Sequence, residues 1–163
     1  MKALTAYTGA VLAAGLLFSS AALALDFKPY GRGDYETLLK ARAGRPLIVH
    51  FWSVICPACV AELPQWAKLA AARKDVDVIF VDTDDAEERD RAAGRLEKAG
   101  LASASHYGFA DNFVEKLYFE VDRNWRGELP FTVLVTRDGA RTTLAGGLDD
   151  PDLVNWLSRN VGK

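Results

Sequence analysis

The chain has 163 residues, of which 50% are hydrophobic and 26% are charged, and its formal net charge at pH 7 is −2. This length allows one domain with a hydrophobic core, and hardly two. Basic and acidic residues are interleaved along the chain, so the charge pattern gives no indication of nucleic-acid binding. Two cysteines are too few for a disulfide-stabilised miniprotein. The pair therefore has to be interpreted from its spacing.

The N-terminus has the pattern of a secretory signal. Lys2 is followed by an uncharged stretch that ends at Leu25, and Ala22-Leu23-Ala24 is a small-residue site of the kind that signal peptidase cleaves. We predict residues 1–24 as a signal peptide and residues 25–163 as one mature domain. An uncleaved anchor is the alternative, because the stretch is long enough to span a bilayer. In both cases we expect export, into a bacterial periplasm, which permits disulfides.

The remaining sequence predicts alternating helices and strands, with an irregular segment after the third helix. Asp34 is expected to cap the first helix, and Asp150-Pro151 to start the last. This alternation favours an α/β fold whose sheet ends in an antiparallel hairpin. The predicted strands are 47–52, 76–81, 131–135 and 140–144, and the predicted helices are 34–41, 57–73, 86–99, 111–119 and one that begins near 151.

Cys56 and Cys59 form a Cys-x-x-Cys pattern where a predicted strand meets a helix inside a βαβ unit, the setting of a redox-active pair. Unpaired backbone N–H groups and the helix dipole favour an anion at this helix end, so a Cys56 thiolate is stabilised and nucleophilic. Cys59 lies one turn on, where it can attack a mixed disulfide and release the substrate. We predict that Cys56 attacks and Cys59 resolves.

Three other interpretations of the pair are possible. A structural disulfide would close a very short loop and stabilise the chain little. A zinc site would require His50 and His106 to join both cysteines. A copper(I) site needs only two thiolates, so a thiol-based copper(I) chaperone is an alternative function. Exported copper carriers tend to use methionines, and Met1 is the only one here.

The segment from Phe51 to Pro64 resembles the active-site segment of exported thioredoxin-like proteins, with the TlpA/ResA type of thiol–disulfide oxidoreductase as the nearest branch. Three further features follow in the family's order: Leu129-Pro130 before a strand, Arg137-Asp138-Gly139 at a hairpin turn, and a late glycine, Gly146. The resemblance covers about residues 35–160. It implies a thioredoxin-like α/β fold, with a central mixed sheet of four to five strands flanked by helices.

The resemblance also implies which residues contact the substrate. Pro130 would be the family's cis-proline, although few X–Pro bonds are cis and the residues alone do not predict one. The backbone of Leu129 would pair with the substrate chain as an added strand. Ile55 and Pro57 flank the attacking cysteine and are expected on the same surface. We expect no metal, and no cofactor besides the redox-active disulfide.

Two polar residues near the pair are candidates for proton transfer. Glu62 completes the Cys-x-x-Cys-x-x-Glu pattern of the branch, which implies that its carboxylate takes and returns the proton of Cys59. An exposed helix acid is the alternative. His50 stands where thioredoxin has a buried acid. We expect a neutral core histidine with one hydrogen bond, and a proton shuttle near Cys59 is the alternative.

The residue between the cysteines indicates the direction of electron flow. Strong oxidants of this fold have histidine at the position of Ala58, so one thiolate stabiliser is missing and we expect a protein-disulfide reductase. Exported proteins with disulfides are the expected substrates, and cytochrome c maturation and copper-site thiols are possibilities at the family level. The expected electron donor lies in the membrane, and an uncleaved leader would be the only other membrane contact.

An enzymatic alternative is a peroxiredoxin-like peroxidase, because peroxiredoxins share the fold that the resemblance implies. Their peroxidatic cysteine follows a Pro-x-x-x-Thr/Ser-x-x pattern, and the residues before Cys56 lack it. We therefore rank the peroxidase below the reductase.

Overall fold

The computed structural model describes residues 25–161. The predicted signal peptide lies outside them, and none of the helices that are described is long and apolar enough to cross a membrane. A short 3₁₀ helix, Ala86–Glu88, directly precedes the helix that begins at Arg89. The strands are β1 (Lys28–Tyr30), β2 (Leu47–Trp52), β3 (Asp77–Asp82), β4 (Ser105–Phe109), β5 (Phe131–Val135) and β6 (Arg141–Ala145), and the helices are α1 (Asp34–Ala41), α2 (Pro57–Ala72), α3 (Arg89–Ala99), α4 (Val114–Val121) and α5 (Pro151–Asn160).

The strands form one mixed sheet in the order β1-β4-β3-β2-β5-β6. The pairs β1–β4, β4–β3 and β3–β2 are parallel, and the pairs β2–β5 and β5–β6 are antiparallel. The predicted thioredoxin-like α/β fold is confirmed, but the sheet has six strands instead of four to five. The two strands that the sequence did not predict, β1 and β4, lie together at one edge.

Strand β2 is buried on both faces, which explains its apolar sequence, interrupted only by His50. Because successive side chains point to opposite faces, Ile48 and Trp52 pack against α2, α3 and α5. Val49 and Phe51 pack on the other face, against α1 and α4. Helices therefore cover both faces, and the loop that follows β2 emerges at the carboxyl edge of the parallel strands.

Two predicted helix starts are wrong. Gly33, in a left-handed conformation with φ of 83°, holds the cap position of α1, and Asp34 is the first helical residue. The Asp34 carboxylate instead accepts a hydrogen bond from the Gly31 N–H at 2.7 Å. Helix α4 begins three residues later than predicted, because Asp111 accepts a hydrogen bond from the Phe113 N–H at 2.9 Å and forms a turn there.

The last helix and the hairpin follow the prediction. Pro151 is the first residue of α5, and the Asp150 side chain caps it by accepting a hydrogen bond from the Asp152 N–H at 2.8 Å. Gly139 has a φ of 88° in the β5–β6 turn, a conformation that glycine adopts without strain. Both features rest on local residue chemistry, which is why the sequence predicts them.

Candidate active site

Cys56 and Cys59 are joined by a disulfide bond at the start of α2. Cys56 is the cap residue of that helix, and its Sγ atom accepts a hydrogen bond from the Cys59 N–H at 3.2 Å. Pro57 follows as the first helical residue, where no N–H is needed. Cys59 is completely buried, whereas Cys56 is partly exposed. An incoming sulfur can therefore reach Cys56 more easily than Cys59, and the order of attack stays a prediction.

The surface beside Cys56 is apolar. The Ile55 side chain is 73% exposed, the largest value among the big hydrophobic residues that are described, and Pro57 is also exposed. Exposure of a large aliphatic side chain beside a reactive sulfur suits contact with an apolar part of another protein.

The peptide bond between Leu129 and Pro130 is cis. The antiparallel register pairs Phe51 with Phe131, so the residues before β5 lie at the same sheet edge as those after β2. The Pro130 carbonyl accepts a hydrogen bond from the Gly146 N–H at 3.1 Å. Among residues 25–161, no hydrogen bond to the backbone of Leu129 forms outside the strand ladders. That backbone is available to a partner chain.

Glu62 lies on α2 one turn after the second cysteine, and its side chain is half-buried. A Cβ atom added at Gly147 would come within 2.0 Å of Glu62 Oε1, so the carboxylate rests on this glycine. Within the described part of the chain, Oε2 is buried without a hydrogen-bond partner. Burial raises the pKa of Glu62 and the Asp149 carboxylate adds to it, while the Leu148 backbone and the Trp66 indole act in the opposite direction. The half-buried position does not fit the alternative of an exposed helix acid, and the role of Glu62 in proton transfer stays a prediction.

His50 is completely buried in β2, and burial lowers its pKa to about 3. Its Nδ1 atom lies 3.0 Å from Thr132 Oγ1 on β5, and its ring centroid lies 4.4 Å from that of Trp66. No group in residues 25–161 hydrogen-bonds its Nε2 atom. The ring is therefore neutral, in agreement with the prediction of a core histidine with one hydrogen bond.

The structure also shows a contact that the sequence did not predict, between Asp84 and the loop before Cys56. The Ser53 hydroxyl donates to Asp84 Oδ1 at 2.6 Å, and the Val54 N–H donates to Oδ2 at 2.7 Å. Asp84 follows β3, which runs parallel to β2. The carboxyl ends of parallel strands meet at one edge of the sheet, and this is the signal that could have drawn attention to Asp84.

Asp82, at the end of β3, is completely buried and forms an ion pair with Arg89. Its Oδ1 atom accepts a hydrogen bond from the Asp84 N–H at 3.1 Å. Burial raises the pKa of Asp82 to about 7, and the neighbouring Asp84 side chain adds to this while Arg89 opposes it. Arg89 also donates to the Phe109 carbonyl at 2.8 Å. Asp82 and Arg89 thus link the backbone N–H of Asp84 to the end of β4.

The residues required for a zinc site are not brought together. His106 Nε2 lies 2.8 Å from the Leu101 carbonyl oxygen, and His50 faces Thr132. Among the residues that the structure describes, no three His, Cys, Asp or Glu side chains are grouped as metal ligands. The geometry therefore gives no support to the four-ligand zinc interpretation.

A parallel βαβ unit with a disulfide at the helix start, opposite a cis-proline, defines a thioredoxin-like protein with a redox-active pair. The chain belongs to the Redoxin family, whose profile matches residues 23–150. It is a thiol–disulfide oxidoreductase with Cys56 and Cys59 as the pair. The resemblance to the TlpA/ResA type is consistent with this family.

Solved structures with the same fold have low sequence identity to the chain. A secreted Mycobacterium tuberculosis disulfide oxidoreductase homologous to E. coli DsbE is 20% identical, with a TM-score of 0.57 over 74% of this chain and 85% of that one. StoA from Bacillus subtilis is 23% identical, with a TM-score of 0.52 over 70% and 83%. A thiol-disulfide isomerase from Corynebacterium glutamicum is 18% identical, with a TM-score of 0.62 over 88% and 98%. The comparison with curated proteins finds no match.

Proposed function

We propose that the protein reduces disulfide bonds of exported proteins in a bacterial periplasm. The observation that carries this proposal is the asymmetry of the pair, in which Cys56 is partly exposed at the helix cap and Cys59 is completely buried. The exposed Ile55 beside Cys56 supports a protein substrate rather than a small hydrophilic one. The secreted Mycobacterium tuberculosis oxidoreductase of similar fold supports export.

The reaction proceeds through two exchange steps. In the dithiol form, the Cys56 thiolate attacks one sulfur of a substrate disulfide, and the other substrate sulfur leaves as a thiolate. Cys59 then loses its proton and attacks Cys56 Sγ, which releases the second substrate sulfur and forms the Cys56–Cys59 disulfide. Two electrons have passed to the substrate. A dithiol electron donor, expected in the membrane, then reduces the pair again by the same exchange.

Glu62 is the proposed proton acceptor for Cys59. Its carboxylate is half-buried one helical turn below that thiol, with one oxygen free of hydrogen bonds within the described residues. Burial raises its pKa, which makes the carboxylate a stronger base than an exposed glutamate. This carboxylate therefore supports the second exchange step.

Substrate binding is proposed along the cis-proline loop. The unpaired Leu129 backbone would add the substrate chain as an extended strand, and Ile55 and Pro57 would contact its side chains. This placement brings a substrate disulfide to the exposed Cys56 sulfur from the edge of the sheet.

The direction is proposed from the environment of the thiolate. Ala58, between the cysteines, is exposed and supplies no charge or hydrogen bond to the Cys56 sulfur. The thiolate is then held mainly by the N-terminus of α2. A less stabilised thiolate makes the dithiol form a better reductant.

A trapping experiment combined with a redox potential tests the function. Cys59→Ser should hold exported proteins as mixed disulfides on Cys56 in a periplasmic extract, and the Cys56→Ser/Cys59→Ser double variant should capture none. The reduction potential, measured against glutathione, should lie at or below that of glutathione. A potential well above it would contradict the reductase. Copper(I) binding without any disulfide exchange would favour the chaperone, and peroxide consumption would favour the peroxidase.

A further inference from the structure

The loop from Ser53 to Cys56 connects β2 to the redox helix, and the backbone N–H groups of Val54, Ile55 and Cys56 are all bound. The Val54 N–H donates to Asp84 Oδ2 at 2.7 Å, and the Ile55 N–H donates to Ser53 Oγ at 3.0 Å. The Cys56 N–H donates to the Ser53 carbonyl at 3.3 Å. Two of these three donors therefore depend on the side chains of Asp84 and Ser53.

The two side chains form one buried unit. The Ser53 hydroxyl donates to Asp84 Oδ1 at 2.6 Å, so both carboxylate oxygens bind the loop. Ser53 is 2% exposed and Asp84 is 8% exposed. Water cannot easily replace a contact at this depth, and a buried donor that loses its acceptor is costly.

The backbone around Asp84 is fixed by contacts of its two preceding residues, Asp82 and Thr83. The Asp84 N–H donates to Asp82 Oδ1 at 3.1 Å, and Asp82 pairs with Arg89. The Thr83 N–H donates to the Trp52 carbonyl at 2.9 Å, which fixes the segment to the end of β2. The Asp84 segment is thus fixed by residues at the ends of β2 and β3 and not by residues of the redox helix.

We propose that Asp84 and Ser53 are positioning residues for thiol–disulfide exchange, because they hold the backbone of residues 53–56 in place when the Cys56–Cys59 bond is broken. In the oxidised protein the covalent bond to Cys59 also restrains Cys56. Reduction removes that restraint, whereas the contacts of Asp84 and Ser53 involve neither sulfur. They keep the Cys56 sulfur at the N-terminus of α2, where backbone N–H groups stabilise its thiolate.

The test begins with Ser53→Ala, which removes the hydroxyl and leaves the charge of Asp84 unchanged. We expect the equilibrium with glutathione to shift about fivefold toward the disulfide, the factor that corresponds to one ordinary hydrogen bond. The pH midpoint of Cys56 thiolate formation, followed by ultraviolet absorbance, should rise. Thr83→Ala is the matched control, because it removes a neighbouring hydroxyl that bonds the Trp52 carbonyl and not the loop.

A second measurement, on the wild type and on Asp84→Asn, covers the case in which Ser53→Ala does not fold. Amide hydrogen exchange should show that the Val54 and Ile55 amides stay protected in the dithiol form, and Asp84→Asn should reduce this protection more in the dithiol than in the disulfide. Free exchange of these amides in the reduced wild type would overturn the proposal, as would a wild-type glutathione equilibrium in folded Ser53→Ala. The proposal rests on exchange at Cys56 and not on the substrate or direction, so it can be tested even where trapping fails.

Discussion

The Glu62 carboxylate rests on the backbone of Gly147, so closely that a Cβ atom at position 147 would lie 2.0 Å from Oε1. Gly147 belongs to the connection between β6 and α5, and Glu62 belongs to α2, one turn below Cys59. A glycine at this point creates the space in which the acid is half-buried. Burial in turn raises the pKa of Glu62 and makes its carboxylate a better base.

Glu62→Gln should slow the release of substrate from the Cys56 mixed disulfide by about 100-fold, because the amide cannot accept the Cys59 proton. In the wild type this rate should rise with pH as the carboxyl loses its proton, with a midpoint above the ordinary glutamate pKa of 4.5. Stopped-flow measurement of the released thiol gives both quantities.

The first exchange step is the internal control for Glu62→Gln. In a Cys59→Ser background, attack of Cys56 on the substrate disulfide should have the same rate with glutamate or glutamine at position 62. An unchanged pH profile for release in the Glu62→Gln protein would show that the carboxylate does not take the proton.

Gly147→Ala should displace the Glu62 carboxylate without changing its charge. The added methyl group leaves no room for Oε1, and the flexible side chain has to move away from its half-buried position. We expect release of the mixed disulfide to slow by about tenfold. This is less than the full effect of general-base catalysis, because the displaced carboxylate keeps some of its function. Gly146→Ala is the matched control, since its Cβ would lie 3.3 Å from Asp150 Oδ2 and would not touch Glu62. Equal rates of mixed-disulfide release in the two variants would show that the space at Gly147 has no part in the proton transfer.

The elements that position the cysteines could be predicted because their patterns are local. Strand β2 is an apolar run interrupted only by His50 and β5 has the same character, and both lie within one residue of the predicted ranges. The predicted order of attack rests on an equally local feature, because a helix N-terminus stabilises a thiolate wherever it occurs.

Strand β4 could not be predicted, because its sequence Ser-His-Tyr-Gly-Phe has no strand pattern. It is a strand because β3 and β1 pair with it on either side. Gly108 within it has no side chain because the Arg89 guanidinium occupies that space, 2.4 Å from where a Cβ would lie. Pairing and close approach of this kind depend on distant residues.

Asp84 was missed for a related reason. Three consecutive polar residues after a buried strand resemble an ordinary solvated turn, and nothing near them in the sequence indicates that one carboxylate binds the loop at Ser53. The contact spans 31 residues of sequence. It follows only from the parallel pairing of β2 with β3.

His50→Gln should remove a pH dependence of stability. Because burial lowers the pKa of His50 from 6.5 to about 3, its contribution to stability is present above pH 6.5 and is lost as the pH falls toward 3. Relative to the variant, the free energy of unfolding of the wild type should fall by about 1.4 kcal/mol per pH unit across this range. Urea titrations at several pH values measure it.

Thr132→Val is the control for His50→Gln. It removes the hydroxyl that faces Nδ1 and keeps the imidazole, so it should destabilise the protein by about 1 kcal/mol at every pH. A pH slope that is the same in the wild type and in His50→Gln would mean that His50 is charged in the folded protein.

Asp82→Asn should show the opposite slope. The pKa of Asp82 is raised from 3.8 to about 7, so its contribution to stability is present below pH 3.8 and is lost as the pH rises through 7. Relative to the variant, the wild type should lose about 1.4 kcal/mol per pH unit over this range. Between pH 3.8 and 6.5 the pH dependences of unfolding free energy due to His50 and Asp82 have opposite signs. They therefore partly cancel in the wild type, and the variants are needed to see each one. Thr83→Ala changes no titrating group, so its plot of unfolding free energy against pH should run parallel to that of the wild type. An Asp82→Asn plot that also runs parallel would show that Asp82 is ionised in the folded protein over this range.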